Sequence, residues 1–61
     1  MANRKIREDM ILAGVSISDL ANKIGRSERE TVEMLNNELG VMQHFNVMYA
    51  ISEITRERKG V

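Results

Sequence analysis

SISDLANKIGRSERETVEMLNN, Ser16 to Asn37, decides how the chain is read. Two apolar-periodic stretches flank Gly25, and each follows a serine. Ser16 has Asp19 three residues on, and Ser27 has Glu30. A hydroxyl followed three positions later by an acid can satisfy two orphan amides reciprocally, so both serines mark helix starts, Ser27 by the stronger pattern. Gly25 supplies the positive φ that a helix C-terminus prefers. The stretch predicts a helix over about Ile17 to Ile24, a turn, and a helix over about Glu28 to Leu39. Leu20, Ala21 and Ile24 are expected to face inward from the first. Val32, Leu35 and Leu39 are expected to do so from the second.

The pattern extends on either side. Ile6, Met10 and Ala13 fall at spacings of four and three, predicting a helix from about Arg4 to Ala13. Gly14, Gly25 and Gly40 each follow an amphipathic stretch, as helix-terminating glycines do. A last helix is expected over about Gln43 to Glu57, with no strong cap to open it. It carries two apolar stripes: Val47, Ala50, Ile51 and Ile54, and then Phe45, Met48, Tyr49 and Ser52. A helix apolar on two stripes needs more than one neighbour. The second stripe is therefore either more core or the interface to a second copy.

Length and composition bound the rest. A chain of 61 residues is one domain, spanning 1–61, with the two-helix motif at about 16–37. It buries only ~60% of the surface its unfolded form exposes. Cysteine and proline are absent, and the hydrophobic content of 43% argues against disorder. The fold class is all-α. No apolar run nears the ~20 residues of a membrane span, and no apolar core follows the N-terminal charges as in a signal peptide. The expected location is the cytoplasm.

Catalysis finds little support. His44 is the one histidine, and no cysteine joins it to hold a metal. The serines lack a triad base, and no phosphate-cradling glycine loop appears. Neither an enzyme nor a cofactor is expected.

Charge is balanced overall but uneven. Arg4, Lys5 and Arg7 make the start basic, and Arg56, Arg58 and Lys59 do the same near the end. Between them, Lys23, Arg26 and Arg29 stand against eight carboxylates.

Residues 16–37 resemble the helix-turn-helix of small phage and prophage repressors, the Cro/CI-like group of lambda-repressor-like domains. The likeness rests on Leu20-Ala21, Ile24 directly before Gly25, Ser27 two residues after it, and Leu35 ten residues after it. Leu35-Asn36-Asn37 resembles the end of recognition helices in small prophage members. The layout covers nearly the whole chain, with four helices where the family usually has five. Three positions depart from the pattern. Ile17 replaces a frequent glutamine, Arg26 replaces an apolar residue, and Thr31 stands where Ile or Val is usual, which suggests a slight rotation of the second helix.

The resemblance implies a DNA-binding transcriptional regulator in a bacterial host cell, acting as a homodimer on a palindromic operator. Ser27, Glu28, Arg29, Glu33 and Asn36 would be the base-reading candidates in the major groove. Arg4, Lys5, Ser16, Ser18, Lys23 and Arg26 would be backbone contacts. Phe45, Met48, Tyr49 and Ser52 would form the dimer interface. The acidic second helix supports an alternative: a protein-interaction module of helix-turn-helix shape, an antirepressor or regulatory subunit that does not itself bind DNA.

Overall fold

In a computed structural model that describes residues 2–59, the chain forms four helices: α1 (Arg4–Ala13), α2 (Ile17–Ile24), α3 (Glu28–Leu35) and α4 (Val41–Lys59). There is no strand among the described residues. Residues 1, 60 and 61 of the expected 1–61 domain lie outside that description.

The short connections follow from local chemistry. Gly14 takes φ 70° and closes α1 in a Schellman turn, with Gly14 N–H donating to Ile11 O at 3.1 Å and Val15 N–H to Met10 O at 2.8 Å. Val15 and Met10 are both buried, which supplies the apolar contact that accompanies this turn. Gly25 repeats the device at φ 74° after α2, and Arg26 N–H reaches back to Ala21 O at 3.0 Å. Both predicted serine caps form as full capping boxes. Asp19 N–H donates to Ser16 Oγ at 3.0 Å and Ser16 N–H to Asp19 Oδ2 at 3.0 Å. Glu30 N–H donates to Ser27 Oγ at 3.1 Å and Ser27 N–H to Glu30 Oε1 at 3.0 Å.

The core gathers Ile6 and Met10 of α1, Val15, Leu20 of α2, Leu35 of α3, and Val47, Ala50, Ile51 and Ile54 of α4. Ala13, Ile24 and Met48 pack at its edge. Helix α4 is the spine: α1 and α2 both pack on it, and α3 packs on α2. Two ties close the far end. Lys23 Nζ meets Glu57 Oε2 at 2.6 Å, and Arg58 reaches Asp19 Oδ2 at 2.7 Å and Gly14 O at 2.6 Å.

The structure corrects the expected α3 in two ways. Its inward residues are Thr31 and Leu35, while Val32 is 41% exposed. Threonine can occupy the interior here because its hydroxyl donates to Ser27 O at 2.9 Å, leaving the methyl to pack. The helix also ends at Leu35 rather than Leu39. Asn36 N–H donates to Val32 O at 3.0 Å and to Glu33 O at 3.2 Å, and the Asn37 side chain to Glu33 O at 2.8 Å. Side-chain amides that bond nearby backbone compete with further helix. Leu39 still packs against the core, but from the connection to α4.

Gly40, expected to terminate α3, does not have a positive φ and lies beyond the end of that helix. Its carbonyl instead accepts from His44 N–H at 2.9 Å in the first turn of α4. That helix therefore begins at Val41, two residues earlier than expected, and runs on to Lys59.

Candidate nucleic-acid interface

Helix α3 is held on one side and open on the other. Thr31 and Leu35 anchor it against the rest of the molecule, and Ser27, Glu28, Arg29, Val32, Glu33 and Asn36 are exposed. Of the five base-reading candidates, Ser27 caps the start of α3, and Glu28, Arg29 and Glu33 lie on its first two turns. Asn36 sits at its C-terminal cap.

The charges on this face are partly neutralised among themselves. Arg29 Nε is 3.7 Å from Glu33 Oε1, one helical turn away, with the two side chains 90% and 68% exposed. A pair so open to water contributes little and separates easily. Glu30 is held by the capping box, and the Ser27 amide and hydroxyl keep its carboxyl below the usual range. Its negative charge therefore belongs to the helix start and offsets the positive end of the helix dipole.

The backbone-contact candidates divide into four groups. Ser16 and Ser18 are exposed at the start of α2, with the Ser16 hydroxyl accepting from Asp19 N–H. Arg26 follows the turn and is exposed; it shares a hollow with Ile24, Met34 and Val47. Lys23 points the other way, into a hollow between α2 and α4 that it shares with Asn22 and Ile54, and its ammonium is bound to Glu57. That contact raises the Lys23 pKa above the ordinary lysine range. Arg4 forms an exposed pair with Glu8, and Lys5 pairs with the half-buried Asp9, at 3.1 and 3.2 Å.

Two residues outside the site candidates, Asn3 and Arg7, connect the start of α1 to α3. The Asn3 amide donates to Leu35 O at 2.9 Å and to Asn37 O at 2.7 Å. Arg7 Nη2 donates to Asn36 Oδ1 at 2.8 Å and to Leu35 O at 3.2 Å. These contacts bring the basic start of α1, with Arg4 and Lys5, to the C-terminal end of α3. No local signal could have found them, since the partners are 28 to 34 positions apart.

The second apolar stripe of α4 lies outside the core except for Met48, which packs at its edge. Phe45 and Tyr49 are each 65% exposed, Ser52 is exposed and Met48 is half-buried. Val41 extends this face toward the start of the helix, so that Val41, Phe45, Met48 and Ser52 follow spacings of four, three and four. Leu12 of α1, 86% exposed, lines a groove with Met48, Ser52 and Thr55 beside it. The Tyr49 phenol sits beside the Glu53 carboxylate, which raises the phenol and is itself lowered.

Among the described residues, no group of His, Asp and Glu side chains is placed to hold a metal ion. No helix among them is long and apolar enough to cross a membrane. No protein-family description, characterised protein or solved structure matches the chain.

Proposed function

We propose that the protein is a sequence-specific DNA-binding regulator of the small Cro/CI-like repressor kind, acting as a homodimer. One observation carries this reading: two short, capped helices meet at a left-handed glycine, and the second presents an uncovered polar face while Thr31 and Leu35 hold it from behind. A helix held in this way can enter a major groove with its first residues at base edges. Arg29 then leaves Glu33 for the N7 and O6 acceptors of a guanine, and Glu28 accepts from a cytosine amino group. Ser16, Ser18, Ser27 and Arg26 meet the phosphates, as hydroxyls, amides and cations do. Two copies joined along Phe45, Met48, Tyr49 and Ser52 would present two such helices to half-sites about one helical turn apart. Occupancy of a promoter by the dimer blocks transcription without any catalytic step.

One observation favours a second reading, a protein-binding module that does not touch DNA. Arg4, Lys5, Lys23, Arg29, Arg56 and Arg58 are all paired with carboxylates, and α3 itself is acidic. The two readings separate in an anisotropy titration on random and self-operator duplexes at two salt concentrations. A regulator binds more weakly as salt rises, with a log-log slope of about −0.9 per phosphate neutralised. A folded protein with no binding at low salt would rule out the regulator. Arg29→Ala should cost about 1–3 kcal/mol at one base pair if it reads guanine. Sedimentation of Tyr49→Glu tests the dimer: a folded variant of unchanged mass excludes that face of α4.

A further inference from the structure

Helix α3 ends without a glycine, without a left-handed residue, and without a basic side chain in its last turn. Its final carbonyl, Leu35 O, is met by Asn3 and Arg7. Asn3 adopts φ 58° and ψ 37°, a left-handed conformation uncommon outside glycine. Its side chain makes no cap bond to its own helix and donates to Leu35 O and Asn37 O instead. Arg7 lies beside it, with Nη2 bonded to Leu35 O and Asn36 Oδ1, and Nε 3.4 Å from Ala2 O.

This geometry has two chemical consequences. A guanidinium carries only donors, so the Asn36 atom that faces Arg7 is the amide oxygen. The Asn36 amide nitrogen keeps both protons, and it has no hydrogen-bond partner among the described residues, in an exposed side chain. In addition, the C-terminal end of a helix carries partial negative charge, which repels an anion. Arg7 places its positive charge against Leu35 O at that end.

We propose that Arg7 is a positioning residue that turns Asn36 into a one-way hydrogen-bond donor toward a phosphate oxygen of bound DNA. The proposal rests on the DNA-binding reading above. Asn36 lies at the end of α3 farthest from the residues that would meet base edges, and its free group matches an acceptor-only phosphate oxygen. The bidentate adenine contact needs the amide oxygen as well, and Arg7 takes one of its two lone pairs and fixes the orientation of the amide, which favours the phosphate contact. Asn36 therefore contributes affinity and register, and no base preference.

The test uses the full chain with Arg7→Lys, Arg7→Ala, Asn36→Ala and the double variant Arg7→Ala/Asn36→Ala. In the free protein, the Asn36 side-chain amide should give an NMR proton pair distinct from that of a solvated asparagine. It should revert to the solvated position in Arg7→Lys, which keeps the charge but is one bond too short to place its nitrogen where Nη2 sits. On DNA, Asn36→Ala should weaken binding about five- to tenfold, the worth of one hydrogen bond, equally on every sequence. Its salt slope should stay unchanged, because no charge is removed. Arg7→Lys should show a similar loss, and the double variant should bind no more weakly than Arg7→Ala alone.

Asn36→Ala alters an exposed side chain, so it remains informative if Arg7→Ala unfolds. An Arg7→Lys protein with wild-type affinity, additive losses in the double variant, or a sequence-dependent loss in Asn36→Ala would each overturn the positioning role while leaving DNA binding intact. Wild-type protein that binds no duplex at either salt overturns the DNA reading itself, and this proposal with it.

Discussion

Helices α2 and α3 begin alike and end differently. Each is eight residues long, opens with a serine capping box, and buries one leucine completely, Leu20 or Leu35. Helix α2 then stops at Gly25, and Ala21 O accepts from the Gly25 and Arg26 amides that immediately follow. Helix α3 runs into Asn36 in a right-handed conformation and is finished partly by Asn3 and Arg7 of another helix. One helix is terminated by its own sequence. The other is terminated partly by its own asparagines and partly by the fold, which ties its end to the start of α1.

The largest way to test this comparison is through the shared feature. Leu35→Ala should destabilise the protein by about 2–5 kcal/mol, the range for a fully buried leucine. Leu20→Ala should match it within that range. Urea midpoints measure both, and an almost neutral Leu35→Ala would mean that α3 is not anchored as described.

The ends should then diverge. Gly25→Val forces a branched side chain into the left-handed region at φ 74° and should cost about 1–2 kcal/mol. Arg7→Ala removes the guanidinium from the end of α3 and should cost about 1 kcal/mol in thermal unfolding. In hydrogen exchange, the amides of α3 should open first in Arg7→Ala, whereas α2 should keep its protection. Equal loss in both helices would dissolve the distinction between a local and a remote terminus.

Acid probes the shared starts. The Asp19 carboxyl is lowered by the Ser16 amide, and then by Arg58 and the Ser16 hydroxyl; Glu30 is lowered by the Ser27 amide and hydroxyl. The unfolded chain binds protons near the ordinary value of about 4, the folded one only below it. The stability these groups contribute is present above that value and is lost as pH falls through the lowered folded pKa values. Asp19→Asn with Glu30→Gln should flatten the fall in Tm between pH 5 and pH 2. An unaltered acid limb would show that the carboxylate charge adds nothing to the boxes.

The smallest effect belongs to the glycine that does not end a helix. At Gly40, φ is not positive and an added β-carbon meets nothing within 4 Å. Gly40→Ala should fall within about 0.5 kcal/mol of wild type.

The chain discloses much of this by itself. The bounds of α1 and α2, both capping boxes and the two left-handed glycines depend on interactions within about five residues, so periodicity and cap residues identify them. The inner stripe of α4 is legible for the same reason: Val47, Ala50, Ile51 and Ile54 repeat at helical spacing and are all buried. The candidate surface was legible as a set of exposed residues on α3, but not in its detail. Val32 looked like the inward residue because it is the more apolar neighbour of Thr31. Burial went to Thr31 because the phase of α3 places it inside and its hydroxyl finds Ser27 O, a satisfaction that composition does not display.

Sequence alone therefore determined an all-helical chain, where its first two helices stop, and which serines begin α2 and α3, because those outcomes follow from local hydrogen bonding and side-chain periodicity. The tertiary structure decided that α3 ends at Leu35, that Thr31 is buried, that Gly40 opens α4, and that Asn36 is held by Arg7. The hold on Asn36 depends on a distant group, whereas Thr31 and Gly40 use partners only four residues away and are decided by how the helices pack. An orphan carbonyl or a buried hydroxyl costs free energy until it is paired, and only the packed chain brings a partner such as Arg7 within reach.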